Sequence, residues 1–180
     1  MPGRRNRFNM KTLTLISAFF ISLAFNSCTR TIYIVRHAEK AVAPTDSLGK
    51  MSNDPPLSEA GKVRAIILKD ELHNKHIRQI YSTNTVRTFY TAEPLSKAIH
   101  VDIKVYRDID SLVRAIRSLR GNSLIVGHSN TVDDLVNKLS GKINIPGDLK
   151  DYEYDNLFVI KFKGKKATFG RRKYGYPSNP

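Results

Sequence analysis

The chain has 180 residues, of which 41% are hydrophobic and 26% are charged, and its formal net charge is +14. These fractions are typical of a folded protein, and the length accommodates one ordinary domain with a short extra segment but not two domains. The single cysteine excludes a disulfide framework and a structural zinc site built on cysteines. The basic residues are spread along the chain without a nucleic-acid-binding motif. The charge therefore indicates a solvated positive face that attracts anionic substrates or surfaces, and nucleic acid is not expected as a partner.

The first residues have the pattern of a secretory signal. Residues 1–11 carry four basic side chains and no acidic one, and residues 13–25 (LTLISAFFISLAF) are almost wholly apolar. This apolar run is too short to span a bilayer comfortably, whereas a basic start, a short apolar stretch and a small residue are typical of a cleavable signal. A buried helix of the fold is the alternative interpretation of the same residues.

The only cysteine, Cys28, follows the small residue Ser27. This arrangement resembles a bacterial lipoprotein signal, in which Cys28 is lipidated and becomes the new N-terminus; the alternative is a lone cysteine at the edge of a cleavage site. Either Met1 or Met10 can be the start, because the sequence from Met10 is itself a complete signal. We therefore predict that residues 1–27 are removed, which leaves a net charge of +10. A lipid anchor would then hold the exported domain on the periplasmic side of a bacterial membrane.

Strand-like and helix-like patterns alternate along the remaining chain. A β-branched and aromatic run predicts a strand over 31–35, and the following stretch rich in Pro, Asp and Gly predicts a loop. Ser58 is suited to cap a helix whose inner face would be formed by Ala60, Val63, Ile67 and Leu72. A short strand is predicted over 79–81. The next helix, over about 85–98, has apolar residues at helical spacing, namely Val86, Phe89, Ala92 and Leu95.

The second half continues the alternation. Residues 101–106 are strand-like, and the helix that follows is marked by Leu112, Ile116 and Leu119. An apolar strand over 123–126 leads into an amphipathic helix that ends near Gly141 and uses Val132, Leu135, Val136 and Leu139. The C-terminal residues predict a β-hairpin with strands over 157–162 and 167–174. Together these elements predict an α/β three-layer sandwich with a mostly parallel central sheet flanked by helices.

Two histidines directly follow strands of the predicted sheet. Arg36 and His37 come after the first strand, and Gly127 and His128 come after the strand over 123–126. In open α/β sheets ligands bind in the crevice beyond the carboxyl ends of the strands, so both histidines are expected in that crevice. Either histidine alone is more often a half-buried structural imidazole, but the pair together with Arg36 indicates a functional site.

Four blocks of sequence, in order along residues 31–163, resemble the histidine phosphatase superfamily, whose members are also called phosphoglycerate mutase-like proteins. The blocks are Arg36-His37-Ala38, Leu57-Ser58-Glu59-Ala60-Gly61, the stretch from Tyr81 to Glu93 that contains Arg87, and Val126-Gly127-His128. Ala38 stands where the family's Arg-His-Gly signature has glycine. The resemblance implies the small phosphatase branch of the family and its phosphoglycerate mutase-like fold, with residues 29–180 as the catalytic domain.

The resemblance also implies a role for each matching residue. His37 would be the nucleophile that forms a phosphohistidine, while Arg36, Arg87 and His128, the last as an imidazolium, would bind the phosphoryl oxygens. Forked guanidinium donors suit the three equatorial oxygens of a transferring phosphoryl group better than a lysine does. The expected activity is metal-independent hydrolysis of phosphomonoesters, on small molecules or phosphoproteins, without a cofactor.

A proton must also reach the leaving oxygen, and a carboxyl group can supply it. In the family this group often follows the third strand. Asp108 occupies that place here and is the candidate donor. Asp110 and Glu39 are alternatives, and Asp108 has a second interpretation as the N-cap of the next helix.

Two other functions stay open. The first is a catalytically weak phosphate- or phosphoprotein-binding domain, and the second is a metallohydrolase that uses His37, Glu39 and His128. A further histidine pair, His73 and His76, has a spacing that zinc could use, but it is expected to be solvated near the end of its helix.

Two charged segments are expected to lie in solvent. Asp133 and Asp134 should face outward, because Val132 and Leu135 on the same helix point inward. The basic residues from Lys161 to Lys173 on the terminal hairpin are expected to protect an exposed edge from pairing, or else to contact anionic lipid headgroups.

Overall fold

The computed structural model describes residues 29–42 and 54–178. The predicted signal over 1–27, its two possible start residues and Cys28 lie outside the described residues, as does most of the predicted loop before Pro56. Within the described residues, no helix has the length and apolar character that a membrane crossing requires.

A six-stranded sheet in the order β3-β2-β4-β1-β5-β6 forms the centre of the fold. Its strands are β1 (Thr29–Arg36), β2 (Ile77–Ser82), β3 (Ile103–Val105), β4 (Asn122–Gly127), β5 (Asn156–Lys163) and β6 (Lys166–Lys173). Strands β1 to β4 pair in parallel, and β5 and β6 form the antiparallel C-terminal hairpin. The helices are α1 (Glu59–Leu72), α2 (Val86–Ile99), α3 (Ile109–Ser118) and α4 (Ser129–Ser140).

Both faces of the sheet are covered, which confirms the predicted three-layer α/β sandwich. Alternate residues of a strand point to opposite faces. Accordingly Ile32 and Ile34 of β1 pack with α3 and α4, whereas Tyr33 and Val35 pack with α1 and α2. The buried strand β4 lies between β1 and β2 and reads as a continuous apolar run, as expected for a parallel strand covered on both sides.

Helix α1 begins where it was predicted but turns a different face inward. Ser58 is its N-cap and accepts a hydrogen bond from the Gly61 amide at 3.1 Å. The expected inner residue Val63 is 44% exposed, and Arg64 is buried in its place. Arg64 is accommodated there because it pairs with Glu39 and donates to the Tyr174 carbonyl. Such a buried ion pair cannot be found from hydrophobic periodicity.

Two other expected helix faces are also partly wrong. In α2, Val86 and Phe89 are 38% and 41% exposed, and Thr88 and Thr91 are buried instead. The Thr91 hydroxyl accepts the Ala38 amide at 2.9 Å and donates to the Arg87 carbonyl at 2.7 Å, so polar contacts set the rotation of α2.

In α4, Asp133 is only 8% exposed although it was expected to face solvent, whereas Asp134 is exposed. The segment that follows α4 folds back along the helix. The Leu149 amide donates to the Ser129 carbonyl at 3.1 Å, and the Ile145 amide donates to Asn137 Oδ1 at 3.1 Å. Burial raises the pKa of Asp133.

Helix α1 packs closely against the residues that follow β1. A Cβ on Gly61 would overlap the backbone of Glu39, whereas a Cβ on Gly147 would meet nothing within 4 Å. We expect Gly61→Ala to destabilise the protein by about 1–3 kcal/mol, because α1 or the Glu39 segment must shift. Thermal unfolding followed by circular dichroism measures this, with Gly147→Ala as the matched control. Equal melting temperatures for the two variants would contradict the proposed close packing.

Candidate active site

His37 follows the last residue of β1 and is 3% exposed. Its backbone amide donates to the Gly127 carbonyl at 2.8 Å, which ties the end of β1 to the end of β4. Nδ1 of the His37 ring lies 2.8 Å from the Ala38 carbonyl oxygen. A carbonyl can only accept, so Nδ1 carries the proton in this hydrogen bond and Nε2 keeps its lone pair.

His128 lies at the N-cap of α4, directly after β4. The ring centroids of His37 and His128 are 5.3 Å apart. Nη2 of Arg87 is 3.3 Å from Nδ1 of His128, and Oγ1 of Thr83 is 2.8 Å from Nε2. Because a guanidinium can only donate, Nδ1 accepts in this pair and Nε2 holds the ring proton.

Arg36 is 3% exposed and is oriented by the segment before β5. Its Nη1 donates to the carbonyls of Lys150 and Asp151 at 2.7 and 3.1 Å, and its guanidinium lies 4.4 Å from the ring centre of Tyr154. Within the described residues, Nε of Arg36 is buried without a hydrogen-bond partner. An anion oxygen is the kind of acceptor that this donor lacks.

Arg87 sits in the first turn of α2 and forms an ion pair with Asp54, with Nη1 2.9 Å from Oδ1. The other oxygen of Asp54 accepts the Val86 amide at 2.8 Å, at the N-terminus of the helix. Asp54 therefore places one negative charge beside the basic side of the site.

Both imidazoles are uncharged at neutral pH. Burial lowers the pKa of His37 to about 3, and the positive charges of Arg36 and Arg87 act in the same direction, against the opposing effect of the hydrogen bond to Ala38. Burial and the charges of Arg87 and Arg36 lower the pKa of His128 to about 4, against the opposing effect of Asp54. The expectation that His128 is an imidazolium is therefore wrong for the site without a bound anion. The neutral ring of His128 has one N–H, at Nε2, which lies 2.8 Å from Oγ1 of Thr83.

The three carboxylates weighed as proton donor have other contacts. Asp108 is fully exposed and is the N-cap of α3, accepting the Ser111 amide at 2.6 Å. Hydrogen bonds from the side chain and backbone of Ser111 hold the pKa of Asp108 below its ordinary value. Oδ1 of Asp110 lies 2.8 Å from Nζ of Lys138 in an ion pair. Oε1 of Glu39 accepts a hydrogen bond from Nε of Arg64 at 2.8 Å.

The carboxylate of Glu39 forms an ion pair with Arg64. Glu39 is therefore not placed to ligate a metal ion together with His37 and His128. Across residues 29–42 and 54–178, no group of three or more His, Cys, Asp or Glu side chains is placed to hold a metal ion. His73 and His76 are both exposed.

The structure thus brings together Arg36, His37, Arg87 and His128, which were predicted to share a site. It adds Asp54, Thr83 and Tyr154, which the sequence analysis missed; their interactions join positions far apart in the chain. The ring of Tyr154 lies 5.9 Å from that of His37 and also stacks on Arg36. Thr83 was in a matched block, but its block position does not reveal a contact with His128.

Comparison with known families agrees with this arrangement. Residues 32–112 match the model of the histidine phosphatase superfamily, branch 1. These residues contain Arg36, His37 and Arg87, and the fold adds His128 to them. This match is to the same family that the four sequence blocks resemble.

Individual relatives are similar over different shares of the chain. Phosphoserine phosphatase 1 of Hydrogenobacter thermophilus is 36% identical over 72 residues, which cover 40% of this chain and 34% of that relative. The protein histidine phosphatase SixA complexed with tungstate superposes with a TM-score of 0.63 at 14% identity, covering 79% of this chain and 96% of SixA. A phosphoglycerate mutase from Bacillus anthracis gives a TM-score of 0.59 at 15% identity, covering 81% and 93%. The two structures support the shared fold.

Proposed function

We propose that the protein hydrolyses phosphomonoesters through a phosphohistidine on His37, without a metal ion. The observation that supports this proposal best is the state of the His37 ring, whose Nδ1 donates to Ala38 while the low pKa leaves Nε2 unprotonated. A nitrogen lone pair held beside two guanidinium groups is suited to attack a phosphorus atom. The match of residues 32–112 to the histidine phosphatase superfamily agrees with this chemistry.

In the first step, Nε2 of His37 would form a bond to phosphorus while the ester P–O bond breaks. The negative charge on the three equatorial oxygens would be balanced by the forked donors of Arg36 and Arg87 and by His128 once its ring is protonated. A bound dianion also favours the charged form of a neighbouring imidazole, so the pKa of His128 would rise on binding. Positioning and positive charge therefore supply most of the catalysis.

The leaving oxygen takes a proton from a carboxyl group, and the same group later removes a proton from the water that attacks the phosphohistidine. That second attack breaks the P–N bond, releases phosphate and restores His37. We propose Asp108 for this role on the strength of its place after β3. Asp54 is the competing carboxylate, because it already lies beside Arg87.

A second function, phosphate or phosphoprotein binding with little turnover, is favoured by one observation. The exposed, capping position of Asp108 leaves the acid of the reaction without a contact to the imidazoles among the described residues. In that case the two arginines and His128 would hold a phosphoryl group that is seldom cleaved.

Replacement of the nucleophile tests the proposed function. We expect His37→Ala to lower the turnover of p-nitrophenyl phosphate by on the order of a thousandfold or more, with EDTA present throughout. Quenching the wild-type protein in alkaline detergent during turnover of a radiolabelled phosphomonoester should trap an acid-labile, alkali-stable phosphoenzyme that the variant lacks. His73→Ala, which alters an exposed histidine, is the matched control and should keep both properties.

Three outcomes would count against the proposal. Loss of activity with EDTA would favour a metallohydrolase. A wild-type protein that binds vanadate but does not turn over would favour the binding domain. A phosphoenzyme that persists in His37→Ala would contradict the assignment of the nucleophile.

The assignment of the proton donor has its own test. Asparagine caps a helix about as well as aspartate, so Asp108→Asn should leave α3 intact while removing the ionisable carboxyl group. We expect kcat to fall about a hundredfold with vanadate affinity largely unchanged. Asp54→Asn, Asp110→Asn and Glu39→Gln are measured beside it. If one of these causes the large loss in kcat and Asp108→Asn does not, the donor is that residue.

We also propose that the protein is exported and lipidated at Cys28, which rests on the sequence pattern before that residue. Metabolic labelling with a radioactive fatty acid should mark the wild-type protein but not Cys28→Ser. An unlabelled, soluble wild-type product cut at another position would overturn the lipoprotein assignment.

A further inference from the structure

The end of the sheet opposite the candidate active site is strongly basic. Thr29, the first residue of β1, pairs with Lys163 of β5, and Lys163 pairs with Lys166 across the hairpin turn. The Asn122 side chain, at the start of β4, accepts from the Thr31 amide at 2.7 Å and donates to the Lys75 carbonyl at 2.7 Å. These contacts place the hairpin turn and the α1–β2 turn around the point where the chain enters β1.

Two arginines extend this region to the end of α4. Arg30 donates to the Arg117 carbonyl at 2.9 Å, and Arg117 donates to the Lys138 carbonyl at 2.7 Å. Lys142 follows in the turn after α4. We name this region the basic end and define it by Arg30, Lys75, Arg117, Lys142, Lys163, Lys165 and Lys166.

The charge of the basic end is not neutralised. All of its side chains are exposed except Arg30, which is half-buried against the Phe162 ring. Over the described ranges 29–42 and 54–178, none of them forms a salt bridge. Two carboxylates at the end of α1 have other partners, because Asp70 pairs with Lys69 and Glu71 pairs with Arg172.

An apolar side chain stands beside these charges. Ile143 is 82% exposed, next to Lys142. The turn that presents it is held by the Asn144 amide, which donates to Asn137 Oδ1 at 2.7 Å, and by the Asn144 side chain, which donates to Ser140 Oγ at 2.7 Å. An exposed isoleucine next to a lysine combines the two features that bind an interfacial surface, apolar insertion and attraction to anionic headgroups.

We propose that the basic end binds an anionic phospholipid surface, with the candidate active site facing away from the bilayer. The place where the chain enters β1 supports a lipid partner, because Cys28, the residue that we propose is lipidated, directly precedes Thr29 in the sequence. This support rests on the proposed lipidation; an acyl anchor and a polybasic patch together hold a protein on a membrane more durably than either alone. The length of β1 places Arg36 about 23 Å from Thr29 along the strand.

Vesicle co-sedimentation tests the proposal on residues 29–180. Every residue of the three hydrophobic clusters lies within 32–174, so this chain keeps the whole described core. It should bind vesicles of phosphatidylglycerol and phosphatidylcholine, fail to bind pure phosphatidylcholine, and be released by salt. Lys163→Gln/Lys165→Gln/Lys166→Gln should lose on the order of a hundredfold in affinity, at roughly fivefold per lysine.

The matched control removes the same charge elsewhere on the surface, as Lys62→Gln/Lys104→Gln/Arg114→Gln, and should bind as the wild type does. Ile143→Ser should weaken binding severalfold without changing its salt dependence. Equal binding to both vesicle types, or an equal loss in the two triple variants, would overturn the proposal. Binding to soluble polyglutamate but to neither vesicle type would assign the basic end to an acidic protein partner and also overturn it.

Discussion

The parallel pairing of β1 with β4 is the constraint on which the site depends. Arg36 lies opposite Gly127 in the register of the two strands, and the His37 amide donates to the Gly127 carbonyl at 2.8 Å. Because parallel strands end at the same edge of a sheet, this register delivers two imidazoles to one crevice from positions about ninety residues apart in the sequence. A slip of one residue would send one ring to the opposite face.

Electrostatics then determines the character of that crevice. Two guanidinium groups and the burial of both rings keep the histidines neutral, so the positive charge of the site resides on Arg36 and Arg87. Each arginine lies near one carboxylate. Asp151, at 3.5 Å from Arg36, is 95% exposed, whereas Asp54 pairs with Arg87 at 2.9 Å. A tetrahedral dianion would give both arginines stronger acceptors and would lift the pKa of the rings that face it.

The sequence was sufficient to predict the fold and the clustering of Arg36, His37, Arg87 and His128, because strand runs, turn residues and motif order are local signals. It failed where long-range polar contacts decide the packing. Apolar spacing placed Val63 inside α1, but the pairing of Arg64 with Glu39 turns the helix. Asp133 was expected in solvent because the apolar spacing of α4 gives no signal of the segment that folds back along the helix. Asp54 and Tyr154 were missed because their link to the site exists only in three dimensions.

The distribution of charge along the sheet axis connects the site to the proposed location of the protein. The catalytic candidates occupy the carboxyl ends of β1 and β4, whereas the basic end surrounds the opposite ends of the same strands. A domain held to a bilayer by the basic end would open its crevice toward the aqueous compartment, about 23 Å farther out. Water-soluble phosphomonoesters or phosphoproteins would reach the crevice in this orientation, whereas the headgroups of the same membrane would not. The lysines of the basic end would also neutralise the surface charge that otherwise repels an anionic substrate near the membrane.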